Sequence, residues 1–306
     1  MIPLALLALG FTPPNSAERE KAIGPTGHLS KVLQGAFRPD PEFFSPIPAP
    51  KPGDWLIAHP ESGQTYADFA GSRPNRPDRK RHTVYLQPLG AFPKDRSPSL
   101  ELLEKFTGAF LAMEVKVLPT IPIDKGAVTT RVNAYTKNRQ VLAGDVLRML
   151  KKKVPADAFC VQSVTMDDLY PEPTWNFVFG MASLRERVGV FSFVRYDPAF
   201  YGKTRGSDYE KVLLLRSCKV LVHESGHMFG IEHCVYFSCL MNGSNHLKES
   251  DSRDIHLCPV CLRKLYHGVG FDVVKRYRAL AGVYKEMKFD SQAAWVERRL
   301  KKISVK

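Results

Sequence analysis

The chain has 306 residues, with 44 Lys+Arg against 31 Asp+Glu and six cysteines. That length admits two average domains, or one large domain with an extension. A composition 44% hydrophobic and 25% charged excludes a mainly disordered, collagen-like or multispanning membrane chain. Six cysteines are too few for a disulfide scaffold, and a net charge of +13 fits either an acidic partner or simple solubility.

In chain order, Met1–Phe11 is a short apolar run with no Lys or Arg before Arg19. It lacks the basic lead-in of a secretory signal and is shorter than the roughly 20 apolar residues needed to span a bilayer. Residues 1–80 form a Pro-rich, weakly periodic extension, predicted to be irregular with one or two short helices. Asp54–Ile57 is predicted to start a helix that buries Trp55. Arg73–His82 is expected to be a solvated linker. From Thr83 the pattern becomes regular. Strands are predicted at Thr83–Leu89, Glu114–Thr120, Ala158–Val164, Trp175–Ser183 and Gly189–Tyr196. Amphipathic helices are predicted at Ser99–Met113 and Arg139–Lys153. This order predicts a mixed sheet of five strands, the first three parallel with right-handed crossovers and one later strand at an antiparallel edge. A long helix at about Tyr209–Phe229 follows, and then a mainly helical remainder. The fold class is therefore α+β, with an upper half resembling α/β. Lys151–Lys153, Arg298–Arg299 and Lys301–Lys302 are expected to be solvated helix faces.

The segment Val222–His233 reads VHESGHMFGIEH. His223 and His227 lie four apart, so on a helix both rings leave one face and suit a shared zinc ion. Glu224 stands beside them as a candidate base. Gly230 can take positive φ and turn the chain back, bringing His233 to the same ion. Three protein ligands leave a fourth position free, as catalytic zinc requires. The pattern HExxH alone arises by chance in on the order of one such chain in a hundred. The added Gly230 and His233 make coincidence far rarer. Cys234, Cys239, Cys258 and Cys261 follow, and their spacing suits a closed tetrahedral zinc site. Two disulfides or free thiols are the alternatives. Cys160 and Cys218 fall in apolar contexts, as buried thiols do.

The run from His223 through Gly230, His233, Cys234, Cys239 and Met241, then Cys258 and Cys261, resembles the archaemetzincin signature of the metzincin metallopeptidases. DWLIAHPE (Asp54–Glu61), DLYP (Asp168–Pro171), WNFVFG (Trp175–Gly180) and VFSFVRY (Val190–Tyr196) resemble the same family, as does Asn245–Leu265. The resemblance covers about residues 50 to 285. It implies a metzincin-type catalytic domain at 81–306. A twisted mixed sheet with helices forms an upper subdomain (about 81–230) over a mainly helical lower subdomain (about 231–306). Met241 would lie beneath the catalytic zinc, packing without ligating. The activity implied is hydrolysis of peptide bonds through a zinc-bound water and Glu224 as general base. Two zinc ions are implied, one catalytic and one structural. The alternative is a catalytically weak zinc-binding interaction protein of the same fold. A four-cysteine nucleic-acid binder is disfavoured, because the basic residues are spread along the chain. A peptide or protein substrate is expected, with no nucleic-acid or membrane partner, as a monomer. Clustered thiolates point to an intracellular, cytoplasmic location rather than secretion. The aromatics of Trp175–Tyr196 are expected to pack in the core, and His246, His256 and His267 to be structural or at the surface.

Overall fold

The computed structural model describes residues 11–123 and 128–304. The apolar run at the start, except Phe11, lies outside the described residues. Among its described residues the Pro-rich segment carries four short helices rather than one or two: α1 (Ser16–Ile23), α2 (Lys31–Ala36), α3 (Trp55–Ala58) and α4 (Tyr66–Gly71). Caps start three of them. Asn15 and Thr65 form capping boxes with Glu18 and Asp68, and the Ser30 side chain accepts from the Leu33 amide. These bonds satisfy first-turn donors and offset the poor periodicity of the segment. Ile23, Phe37, Leu56 and Phe69 are buried in the same core as the histidine-bearing helix. Trp55 is only half-buried.

The regular part begins with β1 (Thr83–Leu89), α5 (Leu100–Leu111), β2 (Glu114–Val117), β3 (Thr130–Val132), β4 (Arg139–Leu142) and α6 (Ala143–Lys151). It continues through β5 (Ala158–Thr165), β6 (Asp168–Tyr170), β7 (Gly180–Ser183) and β8 (Val188–Ser192) to α7 (Tyr209–Met228). The main sheet has five strands in the order β2-β1-β5-β8-β7. All neighbours are parallel except β7, the antiparallel edge. The mixed five-stranded sheet matches the sequence reading. Every residue of β1, β5 and β8 is buried, because helices cover both faces. Val84 and Leu86 face α5 and α7, while Tyr85 and Leu89 face α6.

Three expectations are corrected. The helix predicted over Arg139–Lys153 starts only at Ala143, and Arg139–Leu142 is β4. Val141 is fully buried between β3 and β6, so the sheet serves the apolar pair that the helical pattern had claimed. This second sheet, β3-β4-β6, was not anticipated. The strand predicted at Trp175–Ser183 is confined to Gly180–Ser183. Side chains occupy the acceptors before it: Asn176 O receives bonds from Arg131, Asn133 and Gln140 at 3.1, 3.2 and 2.9 Å. Likewise β8 stops at Ser192, and Val194–Tyr196 is a 3-10 turn. Beneath this turn, Arg195 and Asp168 form a buried two-pronged pair at 2.7 and 2.8 Å.

The remainder is helical: α8 (Leu247–Asp251), α9 (Pro259–Val269), α10 (Val273–Glu286) and α11 (Asp290–Ser304). Here the expectation of solvated basic faces fails at Arg299, which is fully buried. Its Nη2 donates to Gly35 O and Ala36 O at 2.9 and 3.0 Å, capping the C-terminus of α2. Arg263 likewise donates to Ile23 O at the end of α1 and to Pro25 O just past it, and Arg276 to Phe110 O near the end of α5. Part of the chain's excess of cations thus neutralises the negative ends of helices rather than carboxylates. Lys151–Lys153 and Lys301–Lys302 are exposed, as expected. Among the described residues no helix is long and apolar enough to cross a membrane.

Candidate metal centre

Helix α7 runs beneath the sheet and buries Leu213, Leu221 and Val222, which fixes its rotation and sends His223, Glu224 and His227 towards one side. It ends at a glycine: Gly230 has φ +84°, and its amide donates to His227 O at 2.8 Å. A side chain there would be strained. The turn returns His233 to within 5.4 Å of the His223 ring and 5.0 Å of the His227 ring, centroid to centroid. One ring nitrogen from each histidine lies within 4.8 Å of the others, and the Nε2 atoms of His223 and His227 are 3.1 Å apart. The outer nitrogens explain which face turns inward. His223 Nδ1 donates to Leu240 O (2.8 Å), His227 Nδ1 to Ile231 O (2.6 Å) and His233 Nδ1 to Glu61 Oε1 (2.8 Å). Carbonyls and carboxylates can only accept, so each Nδ1 carries the hydrogen and each Nε2 lone pair faces the centre. Burial, followed by repulsion from His233, pulls the pKa of His223 down to about 4; burial and then His223 do the same to His227. Neutral imidazoles with convergent lone pairs are the donor set that zinc takes.

Glu224 and all three histidines border a cavity of about 550 Å³, walled by Phe177, Phe179 and Tyr196 above and by Asn242 and Leu247 below. Phe177, Phe179 and Tyr196 therefore reach the cavity, whereas Phe191 and Phe193 pack in the core. Burial raises the Glu224 carboxyl above its ordinary range, against the pull of His227 and His233. Met241 is fully buried and packs under the helix. A Cβ on Gly226 would lie 2.6 Å from the Met241 Sδ, so the glycine makes room for the thioether.

Cys234, Cys239, Cys258 and Cys261 are all buried, with their sulfurs within 4.8 Å of one another. The Sγ atoms of Cys234 and Cys258 are 3.6 Å apart. A disulfide would need about 2.05 Å, whereas a shared zinc with Zn–S of about 2.3 Å would set the sulfurs about 3.8 Å apart. All six cysteines are free, and the four sulfurs converge as one group rather than as two pairs. Burial raises Cys239 and Cys258 well above the usual thiol range. Cys234 goes the other way: burial opposes ionisation, but bonds from Cys239, Cys258 and Cys261 bring it well below. Cys160 and Cys218 are buried apart from this group.

The two clusters share a scaffold. The Cys234 amide donates to Met241 O at 2.7 Å. Asn242 accepts from the Cys239 amide at 2.8 Å and donates to Cys234 O and Phe237 O at 2.6 and 2.9 Å. In a third grouping, Asp54, His246 and Glu249, the side chains are engaged with one another and with nearby amides. Glu249 receives the Trp55 and Asn245 amides and Arg253, and His246 Nδ1 receives the Glu249 amide. His256 stacks on Trp295 at 3.8 Å and His267 Nδ1 bonds the Tyr66 hydroxyl, which are structural roles as expected.

The profile of peptidase family M54 matches residues 110–267, about half of the chain and spanning both clusters. The chain belongs to this family of zinc metallopeptidases. Archaemetzincin-2 of Macaca fascicularis is 45% identical over 278 residues, covering 82% of this chain and 77% of that protein. Human archaemetzincin-2 is 43% identical over 295 residues, covering 87% and 82%. Among solved structures, archaemetzincin from Methanopyrus kandleri is 29% identical with a TM-score of 0.48, covering 63% of this chain and 97% of that one. A zinc-dependent peptidase from Methanocorpusculum labreanum is 25% identical with a TM-score of 0.47, covering 60% and 99%. Within this M54 chain, the structure also brings to the cluster residues that the motif reading gave no role: Glu61, Trp55 and Asn242. The first two lie in the DWLIAHPE segment, whose resemblance to the family was their one signal.

Proposed function

We propose that His223, His227 and His233 hold a catalytic zinc ion, that Cys234, Cys239, Cys258 and Cys261 hold a structural one, and that Glu224 is the general base. The observation that carries this reading is the convergence of three Nε2 lone pairs beside a buried carboxylate at the edge of an open cavity. A bound zinc supplies Lewis acidity, polarising a peptide carbonyl and acidifying water. Glu224 takes a proton from water at its carboxylate and delivers it to the leaving amine. Its raised affinity for protons suits both steps. Leu240 O and Ile231 O hold the rings of His223 and His227 in place. Met241 keeps the turn of α7 firm from below. The antiparallel edge β7 gives an extended peptide a strand to pair with.

We read residues 81–306 as the catalytic unit, with subdomains meeting near residue 230, and residues 1–80 as an extension on it. Six free thiols agree with a reducing, intracellular compartment. A catalytically weak interaction protein of the same fold would have no need of Glu224 beside an open cavity. Glu224→Gln tests the mechanism: hydrolysis of a peptide library disappears while two zinc ions per chain remain. Hydrolysis undiminished in that variant refutes the general-base role.

A further inference from the structure

The three histidines are not held alike. Two donate to backbone carbonyls of neighbouring turns, whereas His233 donates to a carboxylate 172 residues upstream, in the N-terminal segment. We infer that Glu61 is a positioning residue of the metal centre, which orients His233 and supplies the negative charge that the histidines lack, so that the extension completes the site. This rests on the three-histidine reading above.

Charge supports the inference first. Three neutral imidazoles leave a divalent ion uncompensated, and the carboxylates of Glu224 and Glu61 together balance it. The second oxygen of Glu61 is buried without any hydrogen-bond partner. An unpartnered buried acceptor is unfavourable in a carboxylate kept solely to anchor the fold; a cation across the imidazole would offset it. Geometry supports it next. Glu61 is itself fixed, because Trp55 Nε1 donates to Oε1, the oxygen that receives His233, at 3.0 Å, and the Trp55 ring meets His233 edge-on at 5.0 Å. Trp55 is fixed in turn by Glu249, whose two oxygens receive its amide at 3.1 Å. The extension also follows the loop that carries His233. Asn75 donates to Met228 O at 3.1 Å, Gln64 donates to Gly230 O at 3.2 Å, and Gln64 receives the Glu232 amide at 3.3 Å. Lys264, on the helix of the CxxC pair, holds Gln64 through its backbone carbonyl and its Oε1, at 2.5 and 2.9 Å. The supposed linker Arg73–His82 therefore takes part in this clasp, although its charged residues are exposed.

The test measures metal retention in the full-length protein. Native mass spectrometry counts zinc ions per chain against rising chelator for wild type, Glu61→Ala and Glu61→Gln. In Glu61→Ala the histidine-held ion should leave at roughly 10–100-fold lower chelator, with the cysteine-held ion unmoved. In Glu61→Gln, which keeps an acceptor but not the charge, the shift should be roughly fivefold. This variant carries the test if the alanine variant fails to fold. A fold-only role would lower the melting temperature without separating the two ions. Equal retention in wild type and variants overturns the inference alone. A wild type that never holds a second zinc overturns the three-histidine reading and the inference with it.

Discussion

The two clusters are neighbours in sequence and opposites in environment. His233 and Cys234 are adjacent, yet the histidines are half-exposed at a cavity and the cysteines are sealed in the core. The difference shows how one short segment can serve two purposes. Four thiolates complete a tetrahedron and exclude everything else, which suits a structural ion. Three imidazoles leave a position open, and the open side faces Glu224. In the reading proposed above, the closed cluster fixes the chain immediately after His233, so the rigid site sets the geometry of the reactive one.

Removing a closed-cluster ligand should have the largest effect. Cys258→Ser is expected to lose one zinc and, with it, the folded lower half, since structural zinc contributes on the order of 10 kcal/mol in small zinc domains. Zinc counting and near-UV circular dichroism check this; a folded variant with two zinc ions would erase the distinction between the clusters. Glu224→Gln should act only on the open side. Its hydrolysis rate is expected to fall by about 10²–10⁴, with an unchanged melting temperature, as peptide cleavage and calorimetry would show. Gly226→Ala sharpens the contrast further, because its Cβ would press on the Met241 sulfur. It should cost about 1–3 kcal/mol in urea unfolding and lower activity while the cysteine-held ion stays. The smallest effect belongs to Cys218→Ala, a buried thiol outside both clusters: about 1 kcal/mol of stability and no change in zinc content. Loss of an ion in that variant would mean that the thiols are not partitioned as described.

Legibility in the sequence followed locality. His223, His227 and Gly230 could be read because a helix face and a positive-φ turn are properties of a few consecutive residues. The strands β1, β5 and β8 were legible because burial on both faces makes a mainly apolar run. Arg139–Leu142 was misread because four residues with two apolar members fit a helix or a strand, and only β3 and β6 decided between them. Arg299 was misread because an arginine in a basic run gives no sign that carbonyls of α2 wait for it on the buried side.

The sequence by itself determined the family and the mixed five-stranded sheet, and it pointed to the donor sets of both clusters, all through short spacings and periodicities. Tertiary structure alone decided that the four sulfurs meet as one group, that Met241 lies against Gly226, and that Glu61 reaches His233 from the far end of the chain. The physical reason is that spacing constrains only neighbours along the backbone. A partner 172 residues away is chosen by the packing of α4 on α9 and by the contacts of Trp55 in α3 with Glu61 and His233.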